Sequence, residues 1–296
     1  MKTSKTIAVV GATGRLAQPV IQQLLWHGYQ VRALVRDLEK AKKLLPASIE
    51  LVPGDVTDPT SLIHAFKGVD YVYINLNSDD VSPNQSFYTE REGIKNIVEA
   101  CQLTDIQQIL KISALGAYPF VEHDRDILQN QIRRQGHAFI EQSGIPFTIF
   151  HPTWFLDSIF WGIKKDTFQW IGKPVDFYWM NSVDYAVQVI ESLNNPEAFD
   201  THYAVQGNEK MNYKQIIDRL KVSFNPRLKM QVMPLWLVRT VVVFSPKMAH
   251  LAELFGFYEK TNEVFLAKKT WEDLGKPRTS LEEFTLQFKD EKSLYL

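Results

Sequence analysis

Residues 7–25 read IAVVGATGRLAQPVIQQLL, an apolar run, a glycine-bearing turn and then helical spacing. Gly11 permits a tight turn behind the run, and Gly14 lets backbone amides approach a bound group. Ala17 is small enough for the following helix to pack closely on the strand. Such a turn brings unpaired amides and the positive end of a helix dipole to one point, so the chemistry it supports is the holding of a pyrophosphate. Pro19 falls in the first helical turn, where its missing donor costs little. The turn identifies what is held and leaves open what reacts.

The end of the second apolar run narrows the ligand. VRALVRDLEK places Arg36 22 residues beyond Gly14, with Lys40 four further on. An acidic residue there would accept from the ribose 2'-hydroxyl of NAD, whereas an arginine suits the 2'-phosphate of NADP and can stack on adenine. NADP(H) is favoured, and Asp37 keeps NAD(H) open. GDVTDP and INLNSDD close the third and fourth runs. Asp55 is placed either to accept from the adenine amino group or to serve as a turn residue, while Leu76 and Asn77 can line the phosphate-ribose path.

Hydride transfer to a carbonyl also needs a proton, usually from a tyrosine acidified by a lysine one helical turn later. None of the eleven tyrosines has Lys four residues on. On the helix after Ser113, Gln129 stands where the Tyr would be and Arg133 where the Lys would be. An enzyme therefore needs a different acid or a quinone-like acceptor protonated from water. His137, Tyr118, His151 and His123 are the candidate donors, each equally readable as a packed or surface residue. No HxxxH, CxxC or clustered-carboxylate spacing points to a metal, so none is expected, and there is no G-x-S-x-G nucleophile turn.

The elements that must position these groups follow from periodicity. Short apolar, β-branched runs near 5–10, 29–35, 49–53, 70–75, 107–113 and 146–150 alternate with helical patterns near 15–27, 37–45, 59–66, 86–103 and 124–143. Asp58 and Pro59 supply a cap and a first-turn proline for the third helix. This succession predicts an α/β fold with a Rossmann-type doubly wound parallel sheet over residues 1–152. Residues 153–296 are expected to form a smaller C-terminal α/β substrate or lid domain, partly interleaved with the first. It carries helices near 183–194, 212–222 and 234–256, and a capping box pairing Thr279 with Glu282 or Ser280 with Glu283. The aromatic block at 154–179 reads mostly as the core of that part, with Trp154 and Phe155 the candidates to wall an apolar pocket.

With 296 residues, 45% of them hydrophobic, the chain can bury a substantial core. A formal net charge of −1 gives no general attraction to nucleic acid or to an anionic membrane, so neither partner is expected. The single cysteine, Cys101, lies on an apolar helical stripe and reads as a packed thiol. No apolar stretch is long enough to span a bilayer, and the cytoplasm is the expected location.

Together VVGATGRLAQPVIQQLL, VRALVRD, GDVTDPTSL, GIKNIVEAC, ILKISALGA, SGIPFTIFHPTWF and LGKPRTSLEEF resemble the NmrA-like group of atypical short-chain dehydrogenases/reductases, in order and over nearly the whole chain. The resemblance implies NAD(P) binding, with Gly11, Thr13, Gly14, Arg15 and Leu16 at the pyrophosphate, Arg36 at the 2'-phosphate and Asp55 with Val56 at the adenine edge. It also implies Ser113, Pro152 and Phe155 near the nicotinamide. Ala17 and His151 depart from the family's usual Gly and Arg. The group includes both reductases of quinones or dyes and non-catalytic redox sensors. Two functions are therefore expected to compete: a reductase of a small apolar or aromatic acceptor, and a cofactor sensor acting through a protein partner.

Overall fold

The computed structural model describes residues 5–76, 82–121, 126–241 and 246–294, so Asn77 and His123 lie outside the described residues. In chain order the first elements are β1 (Thr6–Val10), α1 (Ala17–Trp26), β2 (Gln30–Val35), α2 (Leu38–Leu44), β3 (Glu50–Pro53), α3 (Pro59–Phe66) and β4 (Tyr71–Ile74). A π-helical turn at Thr89–Gly93 leads into α4 (Ile94–Gln102), followed by β5 (Gln108–Ile112), α5 (Leu128–Glu141) and β6 (Phe147–Pro152). The next elements are α6 (Asp157–Gly162), β7 (Ile163–Lys164), β8 (Thr167–Ile171), α7 (Ser182–Ser192) and β9 (Thr201–Val205). The chain closes with α8 (Tyr213–Ser223), β10 (Lys229–Met233), α9 (Leu235–Val241), α10 (Pro246–Tyr258), α11 (Lys268–Leu274) and α12 (Leu281–Leu294).

Seven parallel strands form the main sheet in the order β3-β2-β1-β4-β5-β6-β9. Both faces are covered, which is why the strands read as nearly unbroken apolar runs. Ala17, Val20, Ile21 and Leu24 of α1 share one core with Tyr185, Ala186 and Val189 of α7. Leu62, Ala65 and Phe66 of α3 share the other with Ile94, Ile97 and Val98 of α4 and Ile140 of α5. Strand order reverses at β1, whose neighbours are β2 and β4, and this crevice is where a doubly wound sheet takes its ligand.

Two elements of the C-terminal half belong to this layer. Helix α7 covers one face, and β9 pairs with β6 from Thr148↔Thr201 to Pro152↔Val205. The rest forms a second sheet, β10-β8-β7, around a separate core that includes Phe160, Phe168, Trp170, Phe177 and Trp179. The aromatic block is thus mainly packing. Within the stretch 234–256, where helix is expected, the described residues form α9 and α10, and residues 242–245 lie outside the described residues. Of the two capping boxes, Ser280 and Glu283 make theirs, while Thr279 donates to Asp184 at 3.0 Å.

Helix α5 lies against the π-helical turn so closely that a Cβ on Gly136 would stand 2.0 Å from the Glu90 carbonyl oxygen. Ala normally gains about 1 kcal/mol over Gly inside a helix. Here the clash is with backbone, and Gly136→Ala is expected to destabilise by about 1–3 kcal/mol. Urea unfolding of the variant checks this, and a gain in stability would refute the close approach.

Candidate functional site

The turn after β1 is buttressed from the neighbouring strand. Gly11 has φ +79°, and a Cβ there would lie 2.2 Å from the Asn75 carbonyl oxygen. Asn75 Nδ2 donates to the Gly11 carbonyl at 3.3 Å, and a Cβ on Gly14 would meet the same amide at 2.5 Å. Ala17 is fully buried where α1 packs on the sheet. Asn75, which borders the cleft, is the residue that sequence reasoning missed. Its signal was its place as the first residue beyond β4, which matters only once β4 is known to lie beside β1.

From this turn a cleft of about 2270 Å³ runs along the carboxyl ends of the strands. Gly11, Thr13, Gly14, Arg15 and Leu16 border it at one end, with Arg36 and Leu76 beside them, and Ser113, Pro152 and Phe155 border it further on. Thr13, Val35, Arg36, Asp37 and Lys40 line an adjoining hollow of about 370 Å³. Arg36 is exposed there, its Nε 3.9 Å from Asp55 Oδ2. Asp37 is already engaged, its Oδ1 accepting from the Lys40 amide at 2.9 Å as the cap of α2. Asp55 and Val56 do not border the cleft. Asp55 Oδ1 accepts from the amide and hydroxyl of Thr57, which is the turn role, and the Val56 carbonyl accepts from Asn96.

The other end of the cleft is aromatic and basic. Trp154, Phe177, Phe257 and Tyr258 wall it, the last two from α10, and Gln129 and Arg133 reach it from α5. Arg133 Nε donates to Glu90 Oε1 at 3.2 Å, and Lys111 Nζ donates to Glu90 Oε2 at 2.6 Å and to the Ile112 carbonyl at 2.9 Å. All three side chains are buried. Burial alone would raise the Glu90 carboxyl, but Lys111 and then Arg133 outweigh it and hold the group below the usual carboxylate range. Burial lowers Lys111 while Glu90 pulls it back, so the carboxylate carries two cationic partners. Three buried polar atoms on residues bordering the cleft, Ser113 Oγ, Trp154 Nε1 and His250 Nδ1, have no hydrogen-bond partner. Buried polar atoms are rarely left so, unless a ligand or water completes them.

The candidate proton donors lie elsewhere, a correction to their expected place. His151 shares its strand face with Ile149, which belongs to the core under α5, so its ring points away from the cleft. Its Nδ1 lies 3.2 Å from the Ala114 carbonyl and its Nε2 2.9 Å from Nδ1 of His202 on β9. His137 meets the His151 ring edge-on at 5.2 Å, and Tyr118 lies at the same distance. Burial pushes His137 and His151 well below the usual imidazole value and His202 down to about 4, and it raises Tyr118. None of His137, Tyr118 and His151 borders the cleft among the described residues, whereas Ser113, Gln129 and Arg133 do.

Comparison with known proteins places this geometry. The family described as NAD(P)H-binding matches residues 11–167. The photosystem II assembly factor Ycf39 of Cyanophora paradoxa is 26% identical over 217 residues, 72% of this chain and 66% of that protein, just under two thirds of its length. The NAD(P)H azoreductase of Xenophilus azovorans is 24% identical over 228 residues, 73% of each chain. Among solved structures, the NADPH-dependent quinone oxidoreductase QOR2 of Escherichia coli superimposes with a TM-score of 0.71 at 21% identity, covering 96% of this chain and 99% of that one. The triphenylmethane reductase of Citrobacter sp., solved with NADP(H), superimposes with a TM-score of 0.74 at 19% identity, covering 95% and 99%. Likeness at this level of identity establishes the fold. Among the described residues, no helix is long and apolar enough to cross a membrane.

Proposed function

The chain belongs to the NAD(P)H-binding family, in the NmrA-like group of atypical short-chain dehydrogenases/reductases, and from that premise we propose an NADPH-dependent reductase of small aromatic acceptors of the quinone class. The observation that carries this reading is the aromatic-walled space at the far end of the cleft from the pyrophosphate turn, bordered by Trp154, Phe177, Phe257 and Tyr258. A redox-inert socket has no need of such a space.

The NADP preference rests on the hollow beside Thr13. Arg36 and Lys40 present two cations to a 2'-phosphate, and Asp37 already spends one carboxylate oxygen on capping α2. Gly11, Thr13, Gly14, Arg15 and Leu16 hold the pyrophosphate, with Asn75 fixing their turn. Ser113, Pro152 and Phe155 border the nicotinamide end. Bound there, NADPH supplies a hydride. A flat acceptor lies against Trp154 and Phe177, and the Arg133 guanidinium, steadied by Glu90, stabilises the oxyanion left on it. A quinone, whose hydroquinone anion is stable enough to await a proton from water, fits a site with Gln129 and Arg133 in place of a Tyr-Lys pair better than a simple ketone. A reducing, cytosol-like setting accords with the one cysteine, Cys101, being buried and its thiol raised by burial.

Following NADPH absorbance with a panel of quinones, azo dyes and aldehydes tests the reading. Turnover with quinones and little with aldehydes is expected. Complete inactivity with measurable NADPH binding would overturn it in favour of a second reading, a redox-responsive protein that signals cofactor state to a partner. That alternative is motivated by Gln129 and Arg133 in place of a Tyr-Lys pair and by the likeness to an assembly factor. Its mark is a partner complex whose affinity differs between NADP and NADPH.

A further inference from the structure

Three histidines from three elements converge behind the cleft: His137 of α5, His151 of β6 and His202 of β9. One ring nitrogen of each lies within 4.8 Å of the others. We propose that these imidazoles form a binding site for a single borderline divalent transition ion, Zn²⁺ in the first instance.

Hydrogen-bond counting carries the argument. The Ala114 carbonyl can only accept, so the proton of a neutral His151 sits on Nδ1, 3.2 Å away, and its Nε2 carries a lone pair. His202 Nδ1, 2.9 Å from that lone pair, must then be the donor, which leaves His202 Nε2 bare at 3.2 Å from Glu141 Oε1. Two acceptors face each other. His137 Nε2 is buried with no partner at all. The metal-free trio therefore leaves the His202 Nε2 lone pair facing a carboxylate and His137 Nε2 buried without a partner among the described residues, and unsatisfied buried polar atoms are costly.

One ion resolves all of them. His151 Nε2, His202 Nδ1 and His137 Nε2 become ligands, and the His202 proton moves from Nδ1 to Nε2, where it is donated to Glu141. No proton is gained or lost, and all three imidazoles bind in the neutral form that a metal requires. Each of two ligands then has its second nitrogen fixed from behind, His151 by a backbone carbonyl and His202 by a carboxylate, the arrangement that orients metal-bound histidines. Three imidazoles suit zinc better than the oxygen-seeking Mg²⁺ or Ca²⁺. Tetrahedral coordination with bonds of about 2.0–2.1 Å sets ligand pairs about 3.4 Å apart, so ring rotations on the order of 1 Å close the set. Lys111 and Arg133 repel an added cation from the side of β5 and α5, but both are bonded to Glu90, and Glu141 faces the ion's other side. The ion would clamp β9 and α5 to β6 directly beneath Pro152.

The test is titration of the untagged, chelator-stripped full chain with Zn²⁺ alone against a chromophoric competing chelator, and with Co²⁺ for visible spectroscopy. One equivalent is expected, with intense tetrahedral bands for Co²⁺. His202→Gln should weaken binding more than 100-fold, and Glu141→Gln about 10-fold to 100-fold through loss of the carboxylate behind His202. Glu141 is half exposed, so its variant keeps its circular dichroism and NADPH affinity and reads the site alone. Absence of stoichiometric Zn²⁺ binding by the parent chain, or binding that neither substitution weakens, would overturn the assignment.

Discussion

Glu90→Gln is expected to lower the stability of the folded chain by about 3–5 kcal/mol, because it leaves Lys111 and Arg133 buried without a counter-charge. The carboxylate accepts from both cations and sits on the π-helical turn that α5 presses against. Replacing it with an isosteric amide keeps the volume and removes the charge, so the loss is electrostatic. Urea unfolding with matched m-values measures it, and a difference under about 1 kcal/mol would refute the paired reading. The pH dependence has a definite sign. Glu90 is held below the usual carboxylate range in the folded chain, so its contribution is fully present above the unfolded glutamate value of about 4.3 and is lost as pH falls through the folded value. Parent and variant should therefore converge in acid. Adding Lys111→Met to Glu90→Gln should recover part of the loss, since it removes one of the stranded charges.

Arg36→Glu is expected to weaken NADPH about 100-fold, equivalent to about 2.7 kcal/mol, while changing NADH affinity less than about threefold. The guanidinium is exposed at the rim of the hollow and its ionic neighbour among the described residues, Asp55, stands off at 3.9 Å, so the substitution disturbs little packing. What it removes is a charge-assisted partner for a dianion, and what it adds is repulsion. Titration by cofactor fluorescence, NADPH against NADH, separates the two ligands. Equal loss for both would place Arg36 at the adenine or the shared phosphates instead.

The layout of the first half was legible because each strand is buried on both faces and each helix on one. IAVV, VRALV and YVYI are strands at nearly the expected bounds. Local chemistry was legible too: Asp58 caps α3, with its Oδ1 accepting from the Thr60 amide at 3.0 Å. Contacts between distant residues were not. Asn75 reaches the glycine turn only because β4 lies beside β1. His137, His151 and His202 meet from one helix and two strands, with no spacing in the chain to betray them. His151 is a candidate proton donor that stands directly before Pro152, yet the alternation of a strand turns adjacent side chains to opposite faces.

The place of β9 at the end of the main sheet has a consequence for biosynthesis. Strand β6 finishes at Pro152, and the strand that shields its edge begins only at Thr201. At about 5–20 residues per second, the emerging chain carries a bare, apolar β6 edge for several seconds before its cover leaves the ribosome. Helix α7, which lies in that interval, emerges first and can blanket one face. The edge itself stays open, so the interval between β6 and β9 is the window in which a nascent chain of this protein is most exposed to pairing with the wrong strand and most in need of a chaperone.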